Sequence, residues 1–199
     1  GCLCNKVDQH ADDDGCNRKT ADCDDLFEFV SGFVIVVVIV VVGIVVILIV
    51  GIAVILFFGL IPVGFTYYIQ TGAWTWEVSV AALACGLVID TMLMVNNFRD
   101  RDEDARCDKR TVVVCLGAGV GRWGYFALGA AAVALCLTLL AGGRPWAALL
   151  PLAYLAAHTA TWRKMVHIDH GEELNVCLGE TARNILLFGA LFTAGILLG

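Results

Sequence analysis

Apolar and polar residues alternate along this chain in long blocks, not in the short periods of a soluble domain. Residues 1–30 are polar and acid-rich ("NKVDQHADDDGCNRKTADCDD"), and the apolar run "FVIVVVIVVVGIVVILIVGIAVILFFGLIPVGFTYYIQ" then extends from 33 to 70. Further apolar blocks occupy 78–95, 123–143, 145–162 and 184–199. A helix crossing roughly 30 Å of hydrocarbon needs about 20 residues, so these blocks read as membrane helices, the last adequate if its ends snorkel. The run from 33 to 70 is too long for one simple span, and Pro62 within it points to a tilted span followed by a partial or re-entrant segment. "TGAWTWE" after it is a short turn whose tryptophans mark a membrane interface.

Composition agrees: 59% of residues are hydrophobic and only 16% charged, with a mean hydropathy of +0.82, whereas a soluble domain carries about a quarter charged residues. Because the apolar blocks recur, a cleaved signal peptide does not explain them. The expected fold is all-α, a polytopic transmembrane helical bundle over 31–199 preceded by a polar segment over 1–30. The loop at 97–122 carries Arg99, Arg101, Arg106, Lys109, Arg110 and Arg122, and that at 163–183 carries Arg163, Lys164 and Arg183, while 71–77 has no basic residue. Both charged loops therefore face the cytoplasm. The net charge of −6 arises mostly before residue 30 and leaves no basic footprint for nucleic acid. The cysteines form no disulfide framework, and Cys2, Cys4, Cys16 and Cys23 lack the paired spacing of a zinc site.

The stretch "NNFRDRDEDARCDKRT" at 96–111 directly follows the block at 78–95. On a continuing helix Asn96, Asp100, Asp104 and Asp108 stack at i,i+4 in one column. Ion pairs at i,i+4, Arg99 with Glu103 and Asp102 with Arg106, fit a solvated helix end. The aspartate column instead sets like charges over one another, relieved only by Arg101 at i,i+3 from Asp104. A divalent cation balances it, and magnesium suits such a site because it takes one or two carboxylates plus phosphate oxygens. A solvated charged face and a metal site both fit the spacing. Lys109 and Arg110 add cations suited to phosphate, so carboxylates, metal and cations together point to a diphosphate.

Asn96, Asn97, Arg99, Asp100, Asp104, Lys109, Arg110 and Thr111, with the later "CLG", resemble the second aspartate-rich motif of the UbiA-type intramembrane prenyltransferases. The form is similar to that of the 1,4-dihydroxy-2-naphthoate polyprenyltransferases of menaquinone synthesis. The resemblance extends through "FFGLIPVGFTYYIQTG", "ACGL" and "HIDHGEELNVCLGETARNILLFG", covering roughly 57–199. It implies a helical bundle with a cavity opening to the cytoplasmic side, in a multi-pass protein of the bacterial inner membrane surrounded by lipid. The implied activity is Mg2+-dependent transfer of a polyprenyl group from a prenyl diphosphate to the naphthoate ring, giving demethylmenaquinone. It further implies catalytic roles for Asp100, Asp104 and Lys109. Substrate binding falls to Asn96, Asn97, Arg99, Lys109, Arg110, Asn5 and Tyr68, and metal binding to Asp100, Asp104, Asp8 and Asp12.

The first motif of that family is matched more loosely by Asn5, Asp8, Asp12 and Asp13, with Lys6 where an aspartate belongs, and the chain reads as N-terminally truncated relative to the family. These departures leave open a non-catalytic, degenerate membrane relative; a different aromatic acceptor, such as a hydroxybenzoate or homogentisate, is also open. A transporter using Asp90 and Asp100 lacks the paired broken segments of transporter repeats. Phe65, Tyr67, Tyr68, Phe98 and Tyr125 offer faces that stabilise an allylic cation, or else serve as packing. Asp90, an ionisable group inside an apolar span, is a functional candidate by default or else a protonated buried group. His167 and His170, beside Asp169, read as interfacial residues.

Overall fold

The computed structural model describes Val41 and residues 49–199. The chain divides into Gly1–Gly43 and Ile44–Gly199, and the architecture below is that of the second unit. Asn5, Asp8 and Asp12, with the whole polar segment 1–30, lie outside the described residues. Among the described residues there are helices and no strands.

Helix α1 runs from Ile49 to Thr71 without interruption and is long and apolar enough to cross a membrane. This corrects the expected partial or re-entrant segment near Pro62. Proline lacks an N–H and its ring crowds the preceding turn, and the strain is absorbed by widening Ile55–Phe65 into π turns, so the helix continues. It ends at Gly72, whose φ of 65° only glycine adopts freely.

Helix α2 (Trp76–Arg99) follows, then the short helices α3 (Arg101–Arg106) and α4 (Val112–Leu116), and α5 (Ala118–Leu137) with a 3-10 extension to Leu140. The block expected as one span over 145–162 is instead divided into α6 (Pro145–Leu149) and α7 (Pro151–Ile168). Pro151 cannot donate to the carbonyl one turn back, so the helix breaks at Leu150. Neither piece is among the four helices apolar enough to span unaided. The final block starts earlier than its apolar residues do, as α8 (Asn175–Leu198), which removes the need for a short last span.

Helix α2 is central, packed on α1, α5 and α8. It approaches α1 backbone to backbone: a Cβ on Gly59 would lie 2.9 Å from Gly86 Cα, and one on Gly86 would lie 2.9 Å from Ile55 Cα. Small residues at such crossings let membrane helices gain dispersion contact where hydrocarbon offers no hydrophobic drive. Buried positions on α7 (Tyr154, His158, Thr161, Met165) and α8 (Cys177, Thr181, Asn184, Phe188, Phe192) recur every three or four residues and so share one face. They close two core layers, one around Val88, Ala132 and Phe188, the other around Val95, Phe98 and Tyr125.

The outward faces stay apolar, with Ile69 80% exposed and Leu197 81%. No soluble surface tolerates this continuous apolar belt, and the molecule is an integral membrane protein. The turns at 72–75 and 141–144 share one end of the bundle, where Trp76 packs on Gly142. The charged loops at 100–117 and 169–174 share the other, where Arg101 reaches Asp169.

Candidate functional site

The motif at 96–111 sits at that charged end. The helical ladder carries past the end of α2, with Asp100 N–H donating to Asn96 O at 3.0 Å and Asp104 N–H to Asp100 O at 2.8 Å. Asp100 and Asp104 are thus one turn apart, as the column requires. Asp108 leaves the column: it takes a φ of 55°, and Lys109 N–H closes over it onto Asp104 O at 2.9 Å. This turn-back ends α3 in the way an αL residue ends helices generally, so the aspartate column has two members and not three. It also brings the Lys109 ammonium to Asp104 Oδ1 at 3.0 Å. Thr111 then caps α4, its hydroxyl accepting from Val114 N–H at 3.5 Å.

The expected i,i+4 ion pairs are not the ones formed. Arg99 turns to its neighbour Asp100, Nε to Oδ1 at 2.6 Å and Nη2 to Oδ2 at 2.8 Å, while its Nη1 donates to Asn175 Oδ1 at 2.9 Å. A planar guanidinium meeting a carboxylate with two parallel bonds outcompetes a single pair across a turn. Those bonds hold the Asp100 carboxyl below the usual carboxylate range. Arg101, expected to relieve Asp104, donates instead to Phe98 O at 3.1 Å and Asp169 O at 2.5 Å. Asp102 makes only a 4.0 Å approach to Arg101, not a pair with Arg106.

Asp104 differs from its neighbours. Its side chain is 8% exposed, and Oδ2 is buried with no hydrogen-bond partner among the described residues. The hydrogen bond from Lys109 to the other oxygen pushes the Lys109 ammonium pKa up. A buried carboxylate oxygen left without a partner favours an added donor or cation. A polar cleft of ≈ 690 Å³ opens beside Asp100, lined by Arg99, Asp100, Glu103, Arg106, Glu172 and Asn175, and Asp104 is not among its lining residues.

The remaining site candidates separate. Asn97 lines an apolar cavity together with Asp90, while Asn96 and Arg110 are exposed at the charged end. Tyr68 stands near the end of α1 beside the turn at 72–75, at the opposite end of the bundle and 48% exposed, so it does not join Asp100 and Asp104. The aromatic faces offered for a cation are spread along the bundle, and of the five only Phe98 belongs to the motif itself. Phe65 packs edge-on against Trp74, and Tyr67 lines a cavity at the far end. Phe98 is buried with Arg101 lying 4.5 Å over its ring, and Tyr125 is buried and stacked on His158 at 4.4 Å.

Sequence reasoning missed the residues that hold the motif loop in place. Asp169, at a φ of 64°, accepts from Arg122 and lies 3.6 Å from Arg101; Arg122 holds its carboxyl low. His170 Nδ1 lies 3.9 Å from the same carboxylate, and Asp169 is clasped chiefly by Arg122 and Arg101. Asn175 and Arg122 carried no local signal, because their partners are far away in sequence. Also missed was the network joining α5, α7 and α8, in which Tyr154 OH meets His158 Nδ1 at 3.2 Å and Tyr125 OH donates to Thr181 Oγ1 at 2.9 Å.

Among the described residues no group of three or more His, Cys, Asp or Glu side chains is placed to hold a metal. Two carboxylates one turn apart, one with an unpartnered oxygen, do fit magnesium, which completes its shell with phosphate oxygens and water. No solved structure matches the chain. It is 31% identical over 153 residues to the 1,4-dihydroxy-2-naphthoate octaprenyltransferase of Haemophilus influenzae, a match covering 69% of this chain and 45% of that protein. The chain thus spans less than half the length of the curated relative it matches. Residues 47–178 match the model of the UbiA prenyltransferase family. This match takes in α1, α2, the Asp100–Asp104 turn and the clasp at Asp169, and the chain belongs to that family.

Proposed function

We propose that the protein transfers a polyprenyl group from a prenyl diphosphate to 1,4-dihydroxy-2-naphthoate, with magnesium, at the cytoplasmic face of a bacterial inner membrane. The observation that carries this is the pair Asp100 and Asp104 at the charged end of an apolar bundle, with Lys109 on one Asp104 oxygen and, among the described residues, no partner on the other. The relative's naphthoate specificity supplies the acceptor.

In this reading Asp100 and Asp104 hold the metal, with Asp8 and Asp12 of the first motif as its further ligands. Bound there, magnesium supplies positive charge to the diphosphate as it leaves. Lys109 and Arg110 bind the same oxygens, Lys109 swinging from Asp104. Arg99 keeps Asp100 ionised and oriented through its two hydrogen bonds. Ionisation of the allylic diphosphate breaks its C–O bond and leaves a carbocation. The electron-rich ring attacks this cation through the carbon bearing the carboxyl group and then loses that group as carbon dioxide, while a bundle with an apolar outer face keeps bulk water away.

Membranes containing the protein, given radiolabelled prenyl diphosphate and the naphthoate, should form a prenylated lipid. Asp104→Asn and Asp100→Asn should each lower the rate by about a hundredfold or more, the range seen when one transition-state charge partner is lost. Product that survives both substitutions and chelation of divalent ions would remove these carboxylates and the metal from the mechanism. Absence of product in the unaltered protein would favour a non-catalytic relative.

A further inference from the structure

Asp90 lies on α2 within the apolar bundle, 7% exposed, and no hydrogen bond or ion pair holds its carboxylate among the described residues. An unpaired carboxylate is among the most unfavourable groups to keep in a membrane helix. The neighbouring Thr91 does not use it, since its hydroxyl donates to Val88 O at 2.6 Å. The carboxylate points at α1 where Gly51 leaves room, for a Cβ there would stand 3.6 Å from Oδ2.

It faces a cavity of ≈ 430 Å³ between α1, α2 and α5, lined by Gly51, Ile55, Leu93 and Gly124 among other apolar residues; its polar members among the described residues are Asp90 and Asn97. Two turns separate these two on one face of α2, about 10 Å along the axis. Asn97 also belongs to the motif at 96–111 that contains Asp100 and Asp104. A ligand that fills the cavity therefore needs an apolar body and a hydrogen-bond donor at the Asp90 end. A prenyl tail meets the first demand only, since it would leave the carboxylate unsatisfied.

We infer that this cavity binds the aromatic acceptor, with Asp90 accepting a hydrogen bond from a ring hydroxyl. The inference rests on the prenyltransferase reading for the identity of the ring, and it adds a specificity residue ten positions before Asp100. A hydroxyl donating to a carboxylate there enriches the ring in electrons, and it discriminates against rings that lack the hydroxyl, because a polar group left unpaired rejects such analogues strongly.

The test uses the purified protein in detergent, titrated with 4-hydroxy-2-naphthoate and with 2-naphthoate, and separately with prenyl diphosphate. The unaltered protein should bind the hydroxylated ring at least about tenfold more tightly, as expected for a hydrogen bond to a charged group. In Asp90→Leu that preference should fall to within about twofold, while prenyl diphosphate affinity stays within about twofold and thermal stability holds or rises. Gly51→Leu, which fills the cavity from α1 without removing charge, should weaken both naphthoates. The inference is overturned if Asp90→Leu keeps the hydroxyl preference, or if it unfolds, which would make the carboxylate structural. Tighter binding of a naphthylamine than of the hydroxylated ring would also overturn it. Prenyl transfer measured in the same preparation separates the two ideas. Transfer with an Asp90-independent acceptor site sinks only this inference, whereas Asp90-dependent binding without transfer sinks only the transferase reading.

Discussion

Asp169 shows how a single residue organises the charged end. A non-glycine at a φ of 64° is strained on its own, and here two guanidiniums from other helices keep it there, Arg122 on the carboxylate and Arg101 on the carbonyl. The hydrogen bond from Arg122 lowers the carboxyl pKa on folding. A lowered folded-state value means that stability is fully present above the unfolded value of about 4 and is lost as pH falls through the folded one. The side chain is 38% exposed, so solvent screening limits the contribution to about 0.2–1 kcal/mol. Asp169→Asn should therefore lower the unfolding temperature at pH 7, and its gap from the unaltered protein should close below about pH 4, as scanning fluorimetry in detergent would read. A gap that persists in acid would assign the effect to the backbone instead. The contrast with Asp100 and Asp104 explains what sequence could reveal at this scale. Those two are four apart across the α2–α3 junction, where the i,i+4 backbone hydrogen bond persists, so their stacking followed from spacing alone. Asp169 has its partners 68 and 47 residues away, and only the assembled bundle brings them together.

At the scale of elements, close approach separates glycines that matter from those that do not. Gly59 on α1 and Gly86 on α2 meet backbone to backbone, and a methyl on Gly59 would lie 2.9 Å from Gly86 Cα. Backbone cannot step aside as a flexible side chain does, so Gly59→Ala should destabilise by about 2 kcal/mol or more through overpacking. Gly189, on the outer face of α8, has nothing within 4 Å of an added Cβ. Gly189→Ala should be neutral or stabilise by up to about 1 kcal/mol, from helix propensity alone. Unfolding of both variants in a denaturant titration measures the pair, and equal effects would refute the α1–α2 crossing. The apolar blocks announced α1, α2, α5 and α8, because length and hydropathy suffice for a helix that lies in lipid. Two details escaped for a shared reason. Proline breaks a helix only if the chain cannot re-pair its carbonyls, which local sequence does not disclose. Pro62 is absorbed by wide turns while Pro151 ends a helix. The start of α8 escaped differently: Asn175 and Glu180 are polar, yet they face Arg99 and Lys164, partners that the bundle provides.

Across the whole molecule, the contested element is the broken pair α6–α7, which carries His158, Arg163 and Lys164 and is too polar to rank among the apolar spans. Its length, at 1.5 Å per residue from Pro145 to Ile168, is nonetheless about 35 Å, enough to cross. Its polar groups are largely satisfied within the bundle: His158 Nε2 donates to Tyr125 O at 3.1 Å and Lys164 pairs with Glu180. Buried pairing of this kind is what allows a polar helix to sit at membrane depth. The Asp169 clasp then requires residue 170 to emerge on the same side as the aspartate motif, while the turns at 72–75 and 141–144 emerge on the other. Cys107 and Cys115 are exposed in the motif loop, His170 is exposed beyond α7 and Ala73 and Ala141 are exposed in the opposite turns. In sealed vesicles, a membrane-impermeant maleimide should label Cys107, Cys115 and His170→Cys from one side only, and Ala73→Cys and Ala141→Cys only from the other, with single cysteines compared in a background lacking the rest. The positive-inside bias of the charged loops makes the first side cytoplasmic. Labelling of His170→Cys together with Ala141→Cys would mean that α6–α7 returns without crossing. The clasp, and with it the support for the Asp100–Asp104 turn, would then have to be rebuilt from other contacts.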